Sequence, residues 1–346
     1  MLVTRQPVLR RFWYPVMPLE LLEDGPKPFR LLGEDIVLWR TTDGRLVALE
    51  DRCCHRTAKL SAGWVSDSRI TCGYHGWAYD ETGRCVEVPR HPELIHGQRV
   101  RRFHSEVRYD HVWVALEEPL TGIPHLPEAE DRGYRVVPEF HEVWRCAALR
   151  VMENGFDNAH IQFVHRNTFG DQKDPVPALP TIVEHDFGFE MRATIKVWNN
   201  EQQKANLRDA STYTVRHQNT TWYLPFLRKL HIRYPSGLVH AIVTAATPID
   251  DRHSQICQWA YRNDSEVDTP AANIIAFDRQ VTLEDRAILE STDPDVPLAL
   301  DSELEFHMPS DRPGMIMRKR LQALLAAHGE VEHSAHVGVR LTTAAD

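Results

Sequence analysis

Two cysteine and histidine pairs lie close together in the segment CCHRTAKLSAGWVSDSRITCGYH. Cys53 and His55 are separated by one residue, and Cys72 and His75 are separated by two. Such pairs on two β-hairpin loops can converge on one metal centre. Two centres fit these ligands: a tetrahedral Cys2His2 zinc site, and a 2Fe-2S cluster with both cysteines on one iron and both histidines on the other.

A second group of potential ligands lies in the segment ENGFDNAHIQFVH, which contains Asp157, His160 and His165. On a helix that advances about 100° per residue, Asp157 and His160 are about 60° apart, whereas His160 and His165 are about 140° apart. A straight helix cannot direct both histidines at one metal, so we predict that it ends or bulges between them.

A metal held by two histidines commonly takes a carboxylate as a third ligand. The carboxylate must come from elsewhere in the chain. Four acids in the penultimate helical region are candidates: Asp278, Glu284, Asp285 and Asp293.

The segments around these residues predict two kinds of scaffold. Residues 29–117 alternate short apolar runs with turn signals, and the Asp-Gly step in DIVLWRTTDGRLVALED predicts a β-hairpin. The prolines and acids of EEPLTGIPHLPEAEDRG are typical of a domain boundary. Further strands are predicted in FGFEMRATIKVW, LHIRYP, LVHAIVTAATPI and SQICQWAYR, and helices around IIAFDRQVTLEDRAILEST and GMIMRKRLQALLAAHG. We predict an α+β protein, with an all-β domain in residues 1–120 and an antiparallel sheet with helices in residues 121–346.

Composition narrows the class of protein. Hydrophobic residues make up 42% and charged residues 26% of the 346, as in a folded, water-soluble protein. The net charge of −9 disfavours nucleic acid as a partner, and no apolar run is long enough to cross a bilayer. The six cysteines lack disulfide-framework spacing, so we expect a cytoplasmic protein whose cysteines are thiols or metal ligands.

The stretch RCCHRTAKLSAGWV…ITCGYHGWAYDETGRCVEVP resembles the Rieske motif of Rieske non-haem iron oxygenases, CxHR with LSxG following, then CxxHGWxY. The resemblance implies a 2Fe-2S cluster with Cys53 and Cys72 on one iron and His55 and His75 on the other. Two neutral imidazoles in place of thiolates make such a cluster less negative. They raise its potential to about −150 to +300 mV, against about −400 mV for an all-cysteine plant-type cluster.

The pattern ENxxDxxHxxxxH resembles the catalytic-domain motif of the same family, and LEDRAILEST is similar to its ED(K/R)xxxxE segment. The resemblance implies that His160, His165 and Asp285 bind one mononuclear Fe(II).

The same motif implies roles for two further residues. Asp157 would hydrogen-bond to His160 and reach His75 of a neighbouring subunit in a homotrimer. Asn154 matches a residue that lies near the iron in relatives.

The resemblance covers nearly the whole chain and is greatest to compact homotrimeric oxygenase components such as caffeine-type N-demethylases, saxitoxin-type hydroxylases and dicamba O-demethylase. It implies O2-dependent monooxygenation of a small, cyclic or heterocyclic substrate, by C–H hydroxylation or by N- or O-demethylation. The chain has no GxGxxG nucleotide motif, so an NAD(P)H-dependent reductase, a ferredoxin or both must supply electrons.

Three alternatives stay open at this stage: cis-dihydroxylation of an aromatic ring, a Rieske electron-transfer protein without the mononuclear iron, and a zinc-binding interaction protein. The sequence also leaves open which residues line the substrate pocket. Five aromatic residues could line it or could belong to the sheet core: Trp198, Trp222, Tyr223, Phe226 and Tyr234.

Overall fold

A computed structural model describes residues 1–174, 176, 179–295, 297–302 and 304–336. The chain forms two compact units, one of Pro7–Ile123 and one of Met1–Gln6 with Pro124–Asp346. The division falls inside the proline-rich, acidic segment that begins at residue 117. The first six residues group with the larger unit.

The smaller unit is built from short antiparallel strands. In chain order they are β1 (Tyr14–Pro18), β2 (Lys27–Leu31), β3 (Glu34–Arg40), β4 (Leu46–Glu50), β5 (Trp64–Ser66), β6 (Arg69–Thr71), β7 (Ala78–Tyr79), β8 (Cys85–Glu87), β9 (Arg102–Arg108) and β10 (His111–Ala115). One sheet has the order β1-β10-β9-β4-β3-β2, and the other has the order β5-β6-β7-β8.

The predicted hairpin is formed by β3 and β4, with Arg40 opposite Leu46. Its turn places Gly44 at a φ of 85°, in the left-handed region that glycine adopts without steric penalty. Alternation along β3 and β4 directs their apolar side chains into a core that also contains Cys53 and Cys72. The core of this unit therefore includes the cysteines of the first motif.

The larger unit is a seven-stranded antiparallel sheet with helices. Its elements are β11 (Arg135–Trp144), α1 (Ala148–Gly155), α2 (Ile161–Val164), β12 (Thr181–His185), β13 (Gly188–Trp198), α3 (Glu201–Leu207), β14 (Tyr213–Tyr223), β15 (Leu227–Arg233), β16 (Val239–Pro248), β17 (Ser254–Arg262), α4 (Ala271–Leu289) and α5 (Arg312–Ala327). The strand order is β11-β17-β16-β15-β14-β13-β12. Helix α1 packs on β16 and β15, and α4 packs on β11 and on α1.

The predicted α+β class is confirmed, and the predicted strands and the two C-terminal helices of the larger unit are present. Four elements of this unit were not predicted from the sequence: β11, β12, β14 and α3. In the described part of the chain, no helix combines the length and apolar character needed to cross a membrane.

Candidate metal centres

The loops that carry Cys53 and Cys72 have the same backbone geometry. In both, the cysteine N–H donates to the carbonyl five residues on, at 2.8 Å. The cysteine carbonyl accepts from the N–H four residues on, at 2.9 Å for Cys53 and 3.0 Å for Cys72. The donors of this second bond, Thr57 and Gly76, both have a positive φ, of 58° and 73°. Two matching turns therefore present the four residues of the first motif.

The side chains of this motif divide by exposure. Cys53 and Cys72 are 2% and 1% exposed, whereas His55 and His75 are exposed, with ring centroids 4.6 Å apart. Trp77 stacks on His55 at 4.7 Å, with the rings 4° from parallel. The four predicted cluster residues thus lie in one small region, with thiols towards the core and imidazoles towards the surface.

Tyr79 lies beneath this region, and the sequence analysis did not single it out. Its hydroxyl oxygen is 3.0 Å from Sγ of Cys53 and 3.2 Å from Sγ of Cys54, and it accepts from the Cys54 N–H at 3.2 Å. Burial, followed by the adjacent thiols, raises the pKa of Tyr79 far above its ordinary value. The hydroxyl therefore keeps its proton and can donate to sulfur. Tyr79 could have been identified from the sequence, because it is the tyrosine of the HGWxY part of the motif.

The second motif does not form the helix that the sequence predicted. Helix α1 ends at Gly155, and a turn follows before α2, which is one turn long. His160 and His165 cap α2 at its two ends. The predicted break between the histidines is therefore wrong in position, because the helix has already ended before Asp157. The helical-wheel angles for Asp157 and His160 do not apply to this turn.

Three side-chain atoms converge where α2 meets α4. Nε2 of His160 lies 3.2 Å from Nε2 of His165 and 3.5 Å from Oδ1 of Asp285. Nε2 of His165 lies 3.3 Å from the same Oδ1. Two donors bound about 2.0–2.2 Å from one metal at 90–110° are roughly 3.0–3.5 Å apart, so this spacing fits a metal ion. Oδ1 of Asp285 is also buried without a hydrogen bond to any described residue.

A carboxylate lies near Nδ1 of each of these imidazoles, on the side of the ring away from the proposed metal. Oε2 of Glu284 is 3.0 Å from Nδ1 of His165, and it also accepts from Oγ1 of Thr168 at 2.9 Å. Oδ2 of Asp157 is 3.5 Å from Nδ1 of His160. Carboxylates at Nδ1 fix the ring so that Nε2 is free to bind a metal. Glu284, one of the four candidate ligands, therefore contacts the outer side of a histidine.

The electrostatics keep Asp285 ionised. Burial alone would raise its pKa, but His165, His160 and the side chain of Asn154 together hold that pKa below its ordinary value. The same balance applies to Asp157, where burial is outweighed by His160 and nearby backbone N–H groups. Asn154 thus helps to keep the pKa of Asp285 low, and both acids are present as carboxylates.

The other two candidate acids lie elsewhere. Asp293 pairs with His336, at 2.9 Å between Nε2 and Oδ2. Oδ2 of Asp278 lies 3.1 Å from Nε2 of His240, in a second compact group of possible ligands that also contains Glu139.

A cavity of about 130 Å³ extends from the His160, His165 and Asp285 group across the sheet. Side chains from β14 to β17 form its floor, and α1, α3 and α4 contribute its walls. Of the five aromatic candidates, Tyr234 lines it. Trp222 is fully buried instead, with Nε1 donating to the carbonyl of Pro225 at 3.0 Å.

Comparison with known proteins identifies both units. Residues 12–104 match the Rieske [2Fe-2S] domain, and residues 144–327 match the vanillate O-demethylase oxygenase C-terminal domain. The chain is 33% identical to methylxanthine N1-demethylase of Pseudomonas putida over 335 residues, which cover 93% of this chain and 91% of the relative. The chain belongs to the Rieske non-haem iron oxygenases.

Solved structures agree with this oxygenase fold. The structure of the P. putida N1-demethylase with caffeine matches at a TM-score of 0.80 and 30% identity, covering 94% of each chain. Dicamba monooxygenase bound to dicamba matches at a TM-score of 0.77 over 92% of this chain and 98% of its own, and at 22% identity it shows the fold alone.

Several predictions about this Rieske oxygenase are thereby confirmed. It is an oxidoreductase that contains a 2Fe-2S cluster and a mononuclear Fe(II), and it uses O2 to monooxygenate a small organic substrate. It accepts electrons from a separate reductase or ferredoxin.

Proposed function

We propose that His160, His165 and Asp285 bind the mononuclear iron of this oxygenase. The observation that carries the proposal is the convergence of one atom from each residue, 3.2–3.5 Å apart, at the wall of a cavity. Glu284 and Asp157 lie at Nδ1 of the two imidazoles, and Asn154 favours the ionised form of Asp285 by lowering its pKa. When bound, the iron supplies the activation of O2.

Cys53, Cys72, His55 and His75 are proposed as the ligands of the 2Fe-2S cluster. The matched loop geometry, the buried thiols and the adjacent exposed imidazoles support this assignment. Tyr79 donates a hydrogen bond towards the sulfur of Cys53, which stabilises negative charge there.

The reaction we propose is hydroxylation of a methyl group on a small ring compound, leading to N- or O-demethylation. One oxygen atom of O2 enters a C–H bond, and the other leaves as water with two protons and two electrons. The hydroxymethyl group then leaves as formaldehyde, and its former N or O atom takes the proton. The names of a relative, methylxanthine N1-demethylase, and of the matched domain family, vanillate O-demethylase, support this choice over ring dihydroxylation.

We also propose that the enzyme is a homotrimer in which Asp157 approaches His75 of the partner subunit. The exposure of the His75 side chain is consistent with such a contact. A cytoplasmic location is proposed because none of the six cysteines is joined in a disulfide, as expected in a reducing compartment.

Metal analysis tests the ligand assignment directly. The purified protein should contain about three irons and two acid-labile sulfides per chain. His160→Ala and Asp285→Ala should each lose one iron of the three, keep the visible and EPR signals of the cluster, and lose turnover. Cys72→Ala should lose the cluster signal. His141→Ala, at an exposed position on β11, is the control and should change none of these. Full iron content in both His160→Ala and Asp285→Ala would contradict the assignment.

A further inference from the structure

Arg216 on β14 lines the cavity and is only 5% exposed. Its Nε atom is buried without a hydrogen bond, and no ion pair or hydrogen bond joins the guanidinium to any residue that the structure describes. A buried charge without a partner is unfavourable, because neither water nor an opposite charge replaces its hydration.

The other buried arginines show what this environment normally provides. Three described arginines are less than 9% exposed: Arg216, Arg262 and Arg318. Arg262 pairs with Asp264, and Arg318 donates to Glu153 at 2.6 Å. Arg216 differs from both because no described residue supplies a carboxylate for it.

The carboxylates of the cavity wall are already engaged. Asp285 faces His160 and His165, Asp157 faces His160, and Asp278 faces His240. A second cation, Arg228, donates to neutral oxygens among the described residues, the carbonyl of Gly155 at 3.1 Å and Oγ1 of Thr244 at 3.2 Å. Arg216 is therefore a positive charge on the sheet side of the cavity that no carboxylate of the described residues pairs with.

Aromatic stacking fixes where that charge lies. Cζ of Arg216 is 4.3 Å from the ring centroid of Phe169, and the Phe169 ring stacks on His165 at 4.8 Å. A single phenyl ring thus separates the guanidinium from a proposed iron ligand. A ring compound whose anionic group contacts Arg216 can lie beside Phe169 with its far side towards His160, His165 and Asp285.

We propose that the substrate of this oxygenase is an organic acid, and that Arg216 binds its carboxylate. A guanidinium matches a carboxylate with two parallel hydrogen bonds, which gives orientation as well as affinity. The proposal rests on the proposed function, since it names the substrate class of that site. Arg216 is a binding residue here and takes no part in the oxygen chemistry.

Binding measurements without O2 or an electron donor test this idea. The probes are 4-methoxybenzoate and 1-methylpyrrole-2-carboxylate, each with its primary amide, titrated calorimetrically into the iron-loaded enzyme. The acid of at least one pair should bind about tenfold or more tightly than its amide. Arg216→Gln should weaken that acid by roughly 30-fold or more, leave the amide unchanged and so remove the preference. Arg216→Lys should retain part of it, whereas Arg192→Gln, at an exposed arginine on β13, should change nothing.

Thermal unfolding gives a second measurement that a purely structural role for Arg216 would not produce. Without ligand, Arg216→Gln should melt at the same or a higher temperature than the wild type, because it removes an unpaired buried charge. The acid should raise the melting temperature of the wild type alone. Equal binding of acid and amide in both pairs, or a preference retained in Arg216→Gln, would overturn the proposal. Turnover of a neutral methylated ring with a KM unaffected by Arg216→Gln would overturn it while leaving the proposed reaction intact.

Discussion

Oε2 of Glu284 lies 3.0 Å from Nδ1 of His165, so the residue next to Asp285 in sequence supports a different ligand of the proposed iron site. Glu284 and Asp285 are adjacent on α4, yet Glu284 contacts Nδ1 of His165 whereas Asp285 lies near its Nε2.

Glu284→Ala should weaken iron binding about 10- to 100-fold, because His165 loses the carboxylate that orients its ring. Glu284→Gln should have a smaller effect, since its amide oxygen can still accept from Nδ1. Iron content after dialysis against a graded chelator measures the change, while the cluster absorbance should stay constant. Glu201→Ala, at a side chain that is 91% exposed, is the matched control. Iron retention equal to wild type in Glu284→Ala would show that the contact has no such role.

Mixed oligomers should reveal the route of the electrons. His75→Ala disables the cluster and His160→Ala the iron site, so each protein alone should be inactive. If electrons cross between subunits of a closed ring, co-expression should restore activity to about a quarter of wild type, since a quarter of the subunit junctions pair an intact cluster with an intact iron site. Separately expressed proteins, mixed after purification without subunit exchange, serve as the control. No recovery in verified mixed oligomers would place the transfer within one chain.

Glu139 should make stability depend on pH. Burial, followed by the neighbouring Asp278, raises the pKa of Glu139 well above its ordinary value, so the folded protein holds a proton that the unfolded chain releases above about pH 4.3. The free energy of unfolding therefore falls as pH rises above that value, by up to about 1.4 kcal/mol per pH unit until the folded carboxyl ionises.

Glu139→Gln should abolish this loss, because a glutamine is neutral and can still accept from Gln258 and donate to Asp278. Urea unfolding midpoints should be similar for the two proteins at pH 5 and higher for the variant at pH 8. Glu201→Gln should follow the wild type at both. A constant offset between wild type and Glu139→Gln would mean that Glu139 is ionised in the folded protein.

Gly76→Ala should destabilise the cluster loop. The φ of Gly76 is 73°, and an added Cβ would lie 3.0 Å from Cγ of Pro89, so we expect a loss of about 1–2 kcal/mol. Loss of cluster absorbance on heating measures it. Gly122→Ala is the control, because no atom lies within 4 Å of its added Cβ and its φ is not in the left-handed region. Equal cluster loss in both variants would contradict the expected strain.

The sequence predicted those features that depend on neighbouring residues. The Asp-Gly turn between β3 and β4, the long helix α4 and the spacing of the two motifs are all local patterns. The end of α1 at Gly155 was not predictable from the helical spacing, because apolar residues continue at that spacing into α2. Contacts between segments far apart in the sequence were not predictable either. The alternation in β14 placed Arg216 on one face with Thr214 and Gln218, but only the assembled sheet showed that this face is buried.

The position and contacts of Glu139 were also not predictable from the sequence. The register of β11 against β17 shifts between Pro138 and Phe140, so an extra residue is present at Glu139. Such a bulge redirects a side chain, and the strand pattern in the sequence did not predict it. The contact between Glu139 and Asp278 joins two segments 139 positions apart in sequence, which pattern analysis cannot connect.

Helix α4 carries both Asp285 and the cavity-lining residues Phe277, Val281 and Thr282. A bulkier side chain on that helix would push against the bound compound and shift Asp285 with it. Strand β14 carries none of the proposed iron ligands, so its side chains can be exchanged without moving the metal. Evolution, or an engineer who wishes to broaden the range of compounds accepted, has more freedom on the strand than on the helix.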